Sequence, residues 1–240
     1  MLVFSLYMAI WMKRSCGKEP VQRWSNGLAS ELQDFPEQAG FALKEVRKIT
    51  GSWQRKSQRF DPFASRRARD IRNGLSKALI RSLNNNDSEH FRQAAKELLA
   101  CDLAPAYRSY VRDRLNRYEE AFSEVQKNGF SDSCRQALIL WNKRLFFEAH
   151  ERLETAWHEA TGDNRMAIKG LIKAAAVYVH LEQGHEEAAQ TLARKAIALL
   201  RKHGQSLSYS LDLNELLGKL EKQDPVPPQL LNCGQQDGLE

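Results

Sequence analysis

The sequence predicts an all-α protein: a compact helical bundle preceded by a helical N-terminal extension. Three observations carry that expectation. Apolar residues recur at three- and four-residue spacing from about residue 62 to residue 222, and no stretch alternates apolar and polar residues as a half-buried strand does. The periodic runs are bounded by helix punctuation, chiefly Asn84 to Ser88, Pro105, Asn128-Gly129, Gly162, Gly184 and Gly204. The most apolar run, GLIKAAAVYVHL from Gly170 to Leu181, carries only Lys173 and His180 as polar interruptions, the composition of a helix surrounded by other helices.

The elements follow in order. Residues 1–61 are mixed and polar, with Gly17, Pro20, Gly27, Pro36 and Gly40 as punctuation, and form a poorly defined N-terminal segment with short helices near 28–35 and 39–49. The opening MLVFSLYMAIWM is apolar but shorter than the roughly twenty residues a bilayer span takes, so no transmembrane segment is expected. It also lacks the basic flank and small-residue cleavage site of a signal peptide, and Met8 or Met12 are alternative starts to Met1. A basic helical extension covers 62–130. Ala68, Ile71, Leu75, Leu79 and Leu83 form one stripe over 64–84, Phe91, Ala95 and Leu98 mark a helix over 89–101, and Pro105 opens a third through 127.

The bundle proper is 131–222. It starts with a helix capped at 131–133 and running through Trp141, then a motif helix over 145–160. A helix over 166–183 is expected to be buried all round, with Lys173 snorkelling to the surface. A helix over 186–203 follows, and Asp212 with Glu215 gives a capping-box start to a last one over 213–222. FFEAHERLETAW (146–157) aligns with HEEAAQTLARKA (185–196) at an offset of 39, consistent with paired helices. Pro225, Pro227 and Pro228 mark 223–240 as a disordered tail.

Charge is unevenly placed. The net +6 is +8 over residues 1–130, where 23 Lys and Arg face 15 Asp and Glu, and −2 over residues 131–240. The densest basic stretch, 55–81, includes Arg66, Arg67, Arg69 and Arg72 and makes a weak case for nucleic acid; a solvated helix face is the alternative, since no nucleic-acid motif accompanies it. Cys16, Cys101, Cys134 and Cys233 are scattered without CxxC spacing, which fits free thiols and a cytoplasmic location.

The chemistry concentrates in FEAHERLETAW, residues 147–157. His150 and Glu154 stand at i and i+4 on a face that also carries Phe146, Leu153 and Trp157, with Glu151 beside them and His180 on the apolar helix expected to pack opposite. Groups buried there need partners. Three readings are open. His150, Glu154 and His180 offer imidazole and carboxylate ligands to a divalent metal such as Zn, Fe or Mn, although HExxE is not HExxH. Alternatively His150, oriented by Glu151 or Glu154, is a general acid/base for a small ligand held near Trp157 and Tyr178. The reading preferred here is a buried hydrogen-bond network: His150 and His180 pair with Glu151 or Glu154, fixing the register of two helices.

Residues 141–220 resemble domain-of-unknown-function family 309. The matching motifs are Phe147-Glu148-Ala149-His150-Glu151 with Leu153, Glu154 and Trp157, then Gly170-Leu171-Ile172 with Ala174-Ala175 and His180. Asp212-Leu213 and Leu216-Leu217 follow. Arg144 departs from the pattern, which has a small turn residue there. The resemblance, taken as covering about 134–222, implies a small all-helical fold and no established activity. Together these features describe an all-helical chain with a structural polar junction, serving as a scaffold for a protein partner or a homo-oligomer; the alternative is a metal-dependent or acid/base, hydrolase-like enzyme using His150, Glu151, Glu154 and His180.

Overall fold

A computed structural model describes residues 59–207 and 211–231. The apolar N-terminus, the expected helices near 28–35 and 39–49, Cys16 and Cys233 lie outside the described residues. Those described form eight α-helices: α1 Arg66–Asn85, α2 Glu89–Ala100, α3 Pro105–Asn128, α4 Ser133–Asn142, α5 Phe146–Glu159, α6 Gly162–Leu181, α7 Glu186–His203 and α8 Leu213–Lys222. A single 3₁₀ turn, Gly204–Ser206, follows α7.

Local chemistry sets the ends. Ser65 Oγ accepts from the Ala68 N–H (3.3 Å) to start α1, and Asp212 Oδ1 accepts from Glu215 N–H (2.8 Å) to start α8. The cap of α4 is Asp132, whose Oδ1 takes the Arg135 N–H at 2.8 Å. Gly129 closes α3 at φ +65°. Gly162, expected to end the motif helix, instead opens α6 at φ +57°. Arg144 sits between α4 and α5 at φ +57°, a left-handed conformation that accounts for the small residue the family pattern has there.

Consecutive helices pack on one another along the chain, except across the α3–α4 turn and the 3₁₀ turn, where contact is lighter. That lighter α3–α4 contact and a further one, α1 on α5, join the N-terminal extension to the motif bundle. Residues 58–240 form one compact unit. Gly170 lets α6 and α7 approach closely: a Cβ there would lie 2.8 Å from Leu200 Cγ.

The helix enclosed on every side is α4, not α6. Cys134 and every residue from Gln136 to Trp141 are buried. On α6, Lys169 is exposed, while Ile172, Lys173 and Val179 are half-buried. The difference lies in the C-terminal segment, expected to be a disordered tail. Through residue 231 it lies against α4: Trp141 Nε1–H donates to the Pro228 carbonyl (2.9 Å), and Leu230 is 2% exposed. Proline disfavours a helix interior, but it does not exclude a docked extended strand. Residues 232–240 lie outside those described.

Candidate functional site

The motif helix buries a different face from the one its histidine marks. Its buried residues are Phe146, Glu148, Ala149, Arg152, Leu153 and Ala156. Two of these are charged and each is claimed by another helix. Glu148 is 0% exposed; Tyr118 Oη–H of α3 donates to its Oε1 at 2.6 Å, and Arg114 Nε of α3 stands 3.9 Å from the same oxygen. Arg152 donates through Nε to Gln136 Oε1 (2.9 Å) and through Nη1 to Asn84 Oδ1 (2.7 Å), tying α5 to α4 and the end of α1.

Around Glu148 the electrostatics are consistent. Burial lowers the Arg114 pKa, but the Glu148 carboxylate and Tyr110 outweigh it and hold the guanidinium firmly charged. Burial, then Glu148, push the Tyr118 phenol well up, so it is a neutral donor to the carboxylate; burial pushes Tyr110 up to about 12. The Arg114 guanidinium also covers the Tyr110 ring (4.9 Å), whose other contact is a stacked Phe60 at 3.6 Å. Arg114 and Arg117 then donate to the carbonyls of Arg144 and Lys143 (3.4 Å each), satisfying acceptors in the turn that leads into the motif helix.

Three of the four predicted cluster residues do come together, nearer the surface. Ligand atoms of His150, Glu151 and Glu154 lie within 4.8 Å of one another. The His150 side chain is 26% exposed and that of Glu154 51%. His150 Nδ1 lies 3.3 Å from the Ile172 carbonyl, which can only accept, so Nδ1 carries the proton. Its Nε2 then faces Glu154 Oε1 at 3.3 Å. Burial, then Glu154, raise the Glu151 pKa, while His150 and the Arg72 guanidinium pull it down.

His180 is not part of that cluster, which corrects the expected His150–His180 pairing. α5 and α6 run antiparallel: Phe146 stacks on Tyr178 (5.1 Å), His150 meets Ile172, and Trp157 lies under Arg165 (4.0 Å). His180 is eight residues beyond Ile172, about 12 Å along the helix. Its ring packs instead on Phe63 (4.6 Å) and near His185 (5.7 Å), and burial, then His185, lower its pKa. The same geometry separates Trp157 from Tyr178, since Trp157 lies about 16 Å along α5 from Phe146. Tyr178 belongs to the core beside Trp141 (5.2 Å), whereas Trp157 is half-buried, so the two do not frame one ligand pocket.

In the basic stretch Arg66, Arg67 and Arg69 are exposed and Arg72 is half-buried, and most of them are bonded within the chain. Arg67 Nη2 donates to the Asp102 carbonyl (3.0 Å), and Arg69 donates to those of Pro62 and Phe63 (3.1 and 3.3 Å). Arg72 lies 3.8 Å over the Phe147 ring and is bonded to Asn73 Oδ1. Arg66 remains outward with Asp70 at 3.7 Å. Burial pushes the Cys134 thiol up to about 12, away from nucleophilic chemistry. Glu148, Tyr118, Arg114 and Arg152 went unread as a site in the sequence.

Residues 134–192 match the family model described as Domain of unknown function (DUF309), the family their motifs resemble. The matched stretch ends within α7; the late Asp212–Leu217 segment lies beyond it. No curated protein and no solved structure matches the chain. Among the described residues no helix is long and apolar enough to cross a membrane.

Proposed function

Proceeding from the family match, we propose that the chain is a helical interaction module in which the F-E-A-H-E helix is the structural keystone. One observation carries this reading: Glu148 is wholly buried and taken up by Tyr118 and Arg114 of a preceding helix. An acid so placed is unavailable to a substrate, and its pairing specifies how α3 sits on α5. Arg152 does the same work toward α4 and α1. The experiment is thermal melting of Glu148→Gln beside metal analysis of the purified wild type. The substitution is expected to cost on the order of 3 kcal/mol, because Arg114 loses its counter-charge in a buried setting, and the wild type is expected to carry less than stoichiometric metal. Melting indistinguishable from wild type would sink the keystone role.

A second reading has its own observation, the convergence of His150, Glu151 and Glu154 on a half-exposed face. There the imidazole Nε2 and two carboxylates would hold a divalent ion such as Zn, Fe or Mn, or His150 would exchange a proton with Glu154 orienting it. Stoichiometric metal in the wild type, lost in a still-folded His150→Ala protein, selects this metal-dependent, hydrolase-like reading over the first.

A further inference from the structure

We propose that the seat of the C-terminal segment on α4 is a docking groove for an extended, proline-containing, leucine-anchored peptide, and that residues 224–231 fill it in cis. The proposal rests on the interaction-module reading and names the class of partner.

The bonds at this seat run from groove side chains to the segment's main chain. Trp141 Nε1–H donates to the Pro228 carbonyl at 2.9 Å. Asn142, the last residue of α4, is used twice: its Oδ1 accepts from the Leu230 N–H and its Nδ2–H donates to the Leu231 carbonyl, each at 2.8 Å. Such contacts read any extended backbone, leaving specificity to side-chain anchors. The anchors are Pro228 and Leu230, both buried with Gln229 exposed between them; this alternation begins only at Pro228, since Val226, in phase with them, is 59% exposed. Prolines pre-set the extended form and reduce the entropy lost on docking.

The segment is also tethered in a way that permits exchange. Gln223 ends α8 in a left-handed conformation, and Lys219 Nζ holds Asp224 at 2.8 Å; beyond that pair, the hydrogen bonds described above hold it to α4. Beside Trp141, the Tyr178 hydroxyl is buried and has no hydrogen-bond partner among the described residues, although the charge of Asp224 acts on it. The cis segment therefore leaves a donor unused, which a peptide carrying an acceptor at that place would pair.

The test uses a fluorescently labelled peptide copying residues 224–231, titrated into the full chain and into full-length Leu230→Asp, which frees the segment without shortening it. Anisotropy is expected to report binding at least tenfold tighter to Leu230→Asp than to wild type. Adding Asn142→Ala should abolish that binding. A helical, folded Leu230→Asp protein that does not take up the peptide overturns the proposal. So does loss of helix in both Leu230→Asp and a chain ending at Asp224, which would make the segment an inseparable part of the core. A wild-type dimer that Leu230→Asp turns into monomer also overturns it, since the occupant would then be the segment of a second copy. None of these outcomes touches the Glu148 reading, which stands or falls on melting and metal content.

Discussion

At the scale of single residues, the motif helix shows how a charged pair can mislead. Glu148 and Arg152 stand at i and i+4, the spacing of a solvent-exposed helix salt bridge, and both are buried. They do not pair with each other; each meets a different helix, Glu148 through Tyr118 and Arg152 through Gln136. His150 and Trp157 drew attention because imidazole and indole are rare, yet they lie on the half-buried side. Arg144 makes a cleaner case, because an L-residue in the left-handed region is strained by roughly 1–2 kcal/mol. Its carbonyl accepts from Arg114, and its side chain is exposed, so glycine would keep the bond and shed the strain. Arg144→Gly is therefore expected to stabilise by about 1 kcal/mol after glycine's own entropic cost, raising Tm by roughly 2–4 °C in a domain of this size. A lower melting temperature in calorimetry would contradict the strain.

At the scale of helices, periodicity and punctuation were legible and neighbours were not. The stripe of Ala68, Ile71, Leu75, Leu79 and Leu83 is buried as one face of α1, and Asp212 caps α8 as its spacing with Glu215 required. What periodicity lacks is the identity of the element opposite. His180 looked like a partner for His150 because both interrupt apolar faces, but antiparallel packing sets them about 12 Å out of register. The end of α6 has a different task. The His180 ring lies tilted against Phe63, which also meets the ring of His185 edge-on, and Arg59 Nη2 donates to the Glu182 carbonyl at 3.1 Å, so residues 59–63 are held across this turn. The His180 pKa lies below its ordinary 6.5. On acidification the unfolded chain therefore takes up a proton before the folded one, and stability is lost as pH falls below about 6.5. Melting temperatures are expected to drop between pH 7.5 and 5.5, with a shallower drop in His180→Phe; equal slopes would remove His180 from that account.

At the scale of the molecule, the folding unit is larger than the recognisable motif. The partners of Glu148, the donor Tyr118 and the counter-charge Arg114, lie outside the matched stretch 134–192, and α4 is sealed by a segment some ninety residues later in the chain. A fragment spanning 131–222 would keep the motif and lose both. Burying an unpaired carboxylate costs about 3–5 kcal/mol, a large part of a domain's total stability. That fragment is expected to lack a cooperative thermal transition by circular dichroism, while residues 58–240 keep one; a sharp transition in the shorter piece would refute this dependence. The buried acid also has a consequence for heredity. A helix that carries a carboxylate at this depth is not a portable cassette: grafted elsewhere, it needs a host phenol or guanidinium waiting at the same depth. Any chain bearing the equivalent of Glu148 must therefore supply such a donor outside the motif. Finding a tyrosine and an arginine four residues apart on an upstream helix would be a direct way to tell an inherited whole from a borrowed piece.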